Sequence, residues 1–301
     1  MGHSGCDPFV QVTRFKCGGI SLGLNWAHVL GDALSATEFM NRWGPIVSGL
    51  QPNNKAPNIP KSDTEIEGSK KESPSVKRVD PVGDHWITSN NCQMVTFSFH
   101  ITATQLANLR AEISGHNQFP IFESICAIIW HCVVKVREWA QPEVVTICKS
   151  DLRKPTNGIL GNTQIIGTVE AEFSIIETSP KKLATLLVNQ VVDGRSQIEE
   201  LVESDGGVSD FIVYGAKLTF VDLEEANCYG LELNGHKPDF VYHTIQGVGD
   251  EGAVLVIPGP KESCKDSDKE RIVTIIFPEN QVAELKSELV KNGLLLDDNL
   301  A

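Results

Sequence analysis

A histidine and an aspartate stand four residues apart, at His28 and Asp32, within the stretch CGGISLGLNWAHVLGDALSA that runs from Cys17 to Ala36. A neutral imidazole can take a proton from a hydroxyl or amine while that group attacks a thioester, which makes His28 a candidate general base. The same spacing suits a packing histidine beside a helix cap, with Asp32 accepting from the first amides of the helix. The pair by itself leaves both readings open. A second polar cluster follows an apolar strand pattern: Asp151, Leu152 and Arg153, then Gly161 and Asn162. This is either a solvated loop or a turn in which Arg153 pairs with a buried aspartate while the Gly161 backbone approaches a ligand closely. Gly161 and Asn162 are therefore the candidate cofactor-binding pair. His131 lies inside an apolar helical run and reads as a core residue, and the remaining histidines show no metal-ligand spacing.

These residues need elements to hold them. Ile20, Leu22, Leu24 and Trp26 alternate with small or polar residues, the pattern of a strand. From Asp32 the period changes, and Leu34, Phe39, Met40, Trp43, Ile46 and Val47 fall at helical spacing with Asp32 as N-cap. His28 thus sits at a strand-to-helix junction, where loops present reactive groups. Further on, VTFSFHI reads as a strand and QLANLRAEI as a short helix beginning near Thr104. IFESICAIIWHCVVKVREWA reads as a buried helix and VVTICKSDL as a buried strand. One helix is expected from Pro180 to Glu203, single strands at FIVYGAKLTF, AVLVIPG and RIVTIIF, and a closing helix at PENQVAELKSELV. Alternating helices and strands without an internal repeat predict a layered α/β architecture. Residues 51–91 are rich in Pro, Ser, Lys and acidic residues and are expected to form a crossover linker. This divides the chain into residues 1–50, the linker 51–91, and residues 92–301.

Composition narrows the function classes. A net charge of −13 argues against nucleic acid or an anionic membrane surface as main partner, because both need clustered Lys and Arg. The eight cysteines are scattered without a C-x-x-C pair, which suits a reducing, intracellular setting better than a disulfide scaffold or zinc site. No apolar run approaches the ~18 residues of a transmembrane helix. No Walker loop, G-x-G-x-x-G or G-x-S-x-G occurs in a strand-turn-helix context.

Taken in order, HVLGD, CAIIWHC, DLR followed by GN, and FPENQVAELKSEL resemble the plant acyl-CoA-dependent acyltransferases of the BAHD type. Their signature is His-x-x-x-Asp-Gly with a later Asp-Phe-Gly-Trp-Gly. The resemblance implies a chloramphenicol-acetyltransferase-like fold: two α/β domains joined by a crossover loop, with a channel between them. It makes His28 the general base in that channel and turns Asp32 away to pair with an arginine, here Arg153. It implies acyl-CoA as co-substrate, no permanently bound cofactor and no metal. Three departures stand out. Ala33 replaces the glycine, and Asn227-Cys228-Tyr229-Gly230-Leu231 stands where the second motif is expected. The chain is also shorter than family members, so residues 1–50 are expected to be the remnant of an incomplete first domain.

CGGISLGLNWAHVLGD, TFVDLEEANCYGLEL and HKPDFVYHTIQGVGDEGAVLVIPGP are most similar to the eceriferum/glossy branch of cuticular wax formation. That likeness implies very-long-chain fatty acyl elongation, beside the elongase condensing enzyme at the endoplasmic reticulum. It implies an accessory role as readily as a catalytic one. Active acyl transfer through His28 and an inert fragment are the alternatives.

Overall fold

A computed structural model describes residues 8–50, 76–81, 92–114, 119–137, 142–151, 161–213, 215, 217–246, 251–260 and 270–296. The candidate Arg153 and most of the expected linker lie outside these residues. The chain separates into two units that no single cut along the sequence produces. One gathers residues 1–64, 150–164 and 225–241, and the other takes 65–149, 165–224 and 242–301.

In the first unit, strands β1 (Phe9–Arg14) and β2 (Ile20–Asn25) form an antiparallel hairpin. The hairpin closes at Gly18, whose φ of 91° belongs to the left-handed region that glycine adopts without steric cost. A single 3-10 turn, His28–Leu30, leads into helix α1 (Ala33–Val47), capped by Asp32. Ala33, where the family signature has glycine, is the first helical residue, and alanine has the best helix propensity.

The apolar stripe expected of α1 is not its buried side. Ser35, Ala36, Thr37 and Gly44 are buried, whereas Ile46 and Val47 are 51% and 56% exposed. Small residues face inward because backbone from other segments comes close there. A Cβ on Gly44 would stand 2.5 Å from the Glu232 carbonyl oxygen, and Ser35 meets the Gly161 backbone.

The second unit is built on a seven-stranded sheet. Its strands are β4 (Met94–Ile101), β5 (Val144–Lys149), β6 (Ile165–Glu170), β7 (Val192–Asp193), β9 (Leu218–Asp222), β10 (Ala253–Pro258) and β11 (Arg271–Pro278). Their spatial order is β4-β11-β10-β9-β5-β6-β7. β9 runs parallel to both β5 and β10, and the other pairs are antiparallel. A separate ribbon pairs β3 (Lys77–Val79), which falls inside the expected linker, with β8 (Asp210–Ile212). The helices are α2 (Ala103–Ser114), α3 (Ile121–Val136), α4 (Pro180–Asn189), α5 (Arg195–Asp205) and α6 (Glu279–Lys291). Helix α3 packs against α2, α4 and α6. Its Ile125, Ile129 and Trp130 share one core with Val145, Ile147, Phe220, Val254, Val273 and Ile275 of the sheet. The Trp130 indole N–H donates to the Pro142 carbonyl at 2.7 Å, so this large aromatic is buried without an unpaired polar atom.

Two expected elements are each broken in two. The helix expected over Pro180–Glu203 is α4 and α5, with β7 between them. Val192 and Asp193 pair with β6, and the Gly194 N–H donates to the Ile166 carbonyl at 2.7 Å. β-branched Val191 and Val192 followed by Asp-Gly favour extended chain and a turn over helix. The strand expected at FIVYGAKLTF is β8 and β9, separated around Gly215 at φ 76°, whose N–H donates to Thr219 Oγ1.

Candidate functional site

All of the candidate residues that the structure describes fall in the first unit. The alternating strand β2 ends at Asn25, and the chain then turns through Trp26 and Ala27 into the 3-10 turn that carries His28. His28 and Val29 are exposed, and Leu30 is 37% exposed. None of the three residues is fully buried, so apolar packing alone does not hold the turn.

Polar contacts add to it. Leu30 N–H donates to the Ala27 carbonyl and Gly31 N–H to the His28 carbonyl, which closes the turn. The Trp26 indole N–H reaches the Gly31 carbonyl at 2.9 Å, and its ring meets Phe39 of α1 with centroids 5.4 Å apart. Gly31 has φ 149°, and a Cβ there would sit 2.7 Å from Ser35 Cβ and 3.0 Å from the Gly161 nitrogen. Only glycine fits this position.

Asp32 is 1% exposed, and hydrogen bonds satisfy its carboxylate. Oδ1 accepts from the Ser35 N–H at 3.0 Å, the N-cap bond at the start of α1. Oδ2 accepts from the Thr163 N–H at 2.8 Å and from the Thr163 hydroxyl at 3.1 Å. The positive end of the helix dipole favours a carboxylate here as well. The arginine partner expected from the family, Arg153, lies outside the described residues, and the neighbouring Asp151 is buried.

Gly161 and Asn162, the candidate cofactor-binding pair, both bond to the histidine junction. The Gly161 carbonyl accepts from the Ser35 hydroxyl at 2.9 Å and from the Asp32 N–H at 3.1 Å. The Gly161 N–H donates to Ser35 Oγ at 2.9 Å. The Asn162 side-chain amide donates to the His28 carbonyl at 3.0 Å. His28, Asp32, Gly161 and Asn162 are thus brought together across more than a hundred residues of sequence.

The segment Asn227 to Leu231 forms a 3-10 turn, Cys228–Gly230, docked on α1. Asn41 of that helix donates to the Asn227 carbonyl at 3.0 Å. Cys228 and Tyr229 are buried. Burial pushes the Cys228 thiol up to about 11, against a hydrogen bond with Thr37, so it stays protonated near neutral pH. Burial also raises the Tyr229 phenol, with the Val241 backbone opposing. Neither group is poised to act as a nucleophile or a base near neutral pH.

Ser35, Thr163 and Trp26 are site residues that sequence reading did not single out. Ser35 stands three residues after the Asp32 cap, a position with a local signal, but its contact with Gly161 is long-range and leaves no local trace. His131, in the second unit, is 8% exposed with Nε2 3.5 Å from the Ile176 carbonyl. Burial holds its pKa below the usual value, with Lys135 adding to the effect, as suits a core histidine. Among the described residues no group of His, Cys, Asp and Glu could hold a metal ion, and no helix is long and apolar enough to cross a membrane.

A family model described as the Transferase family matches residues 8–290. Protein ECERIFERUM 26-like of Arabidopsis thaliana is 38% identical over 288 residues, 95% of this chain and 65% of that protein. Protein ECERIFERUM 2 of the same plant is 38% identical over 284 residues, 93% of this chain and 64% of that protein. The chain therefore spans a little under two thirds of the length of these relatives. Oryza sativa Hydroxycinnamoyltransferase 1 is 26% identical over 215 residues, 64% of this chain and 45% of that protein. Among solved structures, vinorine synthase gives a TM-score of 0.64 at 17% identity, covering 94% of this chain and 65% of that one. F. graminearum TRI101 complexed with coenzyme A and deoxynivalenol gives 0.63 at 14% identity, covering 93% and 68%. At these identities the structural likeness is one of fold, the α/β chloramphenicol-acetyltransferase-like fold.

Proposed function

The chain belongs to the Transferase family, the BAHD-type acyltransferases, and on that premise we propose that it promotes very-long-chain fatty acyl elongation for cuticular wax as an accessory of the elongase. The supporting observation is the gap in identity: 38% to ECERIFERUM proteins against 26% to a hydroxycinnamoyltransferase of the same family. The Asn227–Leu231 segment adds to it. With a buried, protonated thiol and a buried phenol, that turn supports helix α1 and offers no reactive group. In this role the chain binds the condensing enzyme at the cytoplasmic side of the endoplasmic reticulum and shifts the length of the acyl product. Co-expression with a condensing enzyme, followed by acyl-chain profiling, tests it. The expected result is a shift toward longer chains, and an unchanged profile refutes the proposal.

The exposed, anchored His28 favours a second reading, acyl transfer from acyl-CoA to an alcohol or amine. The His28 imidazole would take the proton of the acceptor as its oxygen or nitrogen bonds to the thioester carbon. The C–S bond then breaks, and the imidazolium returns the proton to the departing thiolate. Loss of such a base costs about a hundred- to ten-thousand-fold in rate. A preparation that transfers acyl groups and whose His28→Ala variant keeps full activity refutes this reading.

A further inference from the structure

The turn His28–Leu30 presents a problem of placement. A side chain that moves a proton must be held in position, yet none of the turn's residues is buried. Its flanking carbonyls are met by two side-chain donors, Trp26 Nε1 on Gly31 and Asn162 Nδ2 on His28. The indole secures the helix side of the turn, and the amide bonds the histidine's own carbonyl. Asn162 is itself fixed on both flanks. Gly161 exchanges hydrogen bonds with Ser35, and Thr163 donates twice to Asp32. All four partners belong to one unit, so the connection is a short path from the capped start of α1, through Asn162, to the histidine backbone.

We propose that Asn162 is a positioning residue for His28: its side-chain amide, braced between Gly161 and Thr163, fixes the histidine carbonyl and so the point from which the imidazole extends. This gives Asn162 a role at the histidine loop beyond the cofactor-binding role expected from sequence. The proposal gives a mechanism to the acyl-transfer reading above. Its geometric content stands apart from turnover, because the placement exists whether or not a proton moves.

The test is NMR on the full 301-residue chain with isotope-labelled histidine, comparing wild type with Asn162→Ala, Asn162→Asp and Asn162→Gln. Aspartate keeps the shape of asparagine and loses the donor, whereas glutamine keeps an amide donor. The expected result is that the His28 amide order parameter falls from about 0.85 to below about 0.6 in the Ala and Asp variants, with substantial recovery in the Gln variant. The buried His131 signals and the melting temperature stay as in wild type. A His28 as ordered in Asn162→Asp as in wild type overturns the proposal, as does a Gln variant that restores nothing. Global unfolding of Asn162→Ala also counts against it, since the residue would then be a general structural support. The measurement needs no substrate, so a negative acyl-transfer or elongation assay leaves its outcome distinct.

Discussion

Helix α3 and the turn that carries His28 are opposites in how they are held. Every residue of α3 from Phe122 to Val134 is buried, whereas none of His28–Leu30 is. The helix is placed by apolar packing, which is non-directional and tolerates exchange among side chains of similar volume. The turn is met by directional bonds from Trp26 and Asn162, beside a junction that Asp32, Ser35 and Thr163 tie together. Packing builds the core of the second unit, and polar contacts tie down the backbone of an exposed turn in the first. Substitutions in the two regions should therefore fail differently.

The largest effect is expected in the packed region. Trp130→Ala removes a fully buried indole and its bond to Pro142, and should cost about 3–5 kcal/mol in urea unfolding followed by circular dichroism. A cost below about 1 kcal/mol would mean that the α3 core can collapse around the gap. In the polar region, Asp32→Ala strips the cap from α1 and leaves the Ser35 and Thr163 donors without their acceptor. It should cost about 2–3 kcal/mol, with Asp32→Asn costing less because one acceptor oxygen remains.

A third test concerns charge at the ends of the second unit's strands. Asp222, at the end of β9, faces Glu123, Lys149 and Glu224, and burial pushes its carboxyl up to about 7, with the Glu224 N–H and Lys149 pulling the other way. A raised native pKa means that the folded state holds the proton more tightly than the unfolded chain, whose carboxyl titrates near ~4. The associated stability is full below pH ~4 and is lost as pH rises through about 7. Asp222→Asn should remove this dependence, so that its urea midpoint holds between pH 5 and pH 8 while that of the wild type falls. A wild type and variant that change in parallel with pH would contradict it.

The smallest effect belongs to Ser35→Ala, which removes the two-way contact with Gly161 and should cost about 1 kcal/mol by the same unfolding measurement. An effect as large as that of Asp32→Ala would make the hydroxyl, and not the carboxylate, the centre of the junction.

Sequence showed the elements better than their partners. Strict alternation marked β2, the change of period at Asp32 marked the start of α1, and near-continuous apolar runs marked β10, β11 and α3. Each of these signals is local. The inward face of α1 was hidden because Ser35, Thr37 and Gly44 are small, and hydrophobic periodicity looks for large residues. The break between α4 and α5 was hidden because β7 is two residues long and exists through its bonds to β6. At the site, Asp32 was legible as a cap, but the contacts of Asn162 with His28 and Thr163 with Asp32 join residues 134 and 131 positions apart. No local pattern encodes such a pairing.

If the chain acts as an elongase accessory, its effect on acyl-chain length does not depend on proton transfer by His28. Co-expression of a condensing enzyme with wild type and with His28→Ala, followed by acyl-chain profiling of both, tests it most directly. An accessory role predicts the same shift toward longer chains with either protein. A shift that wild type produces and His28→Ala abolishes would contradict it and make the imidazole itself the working group.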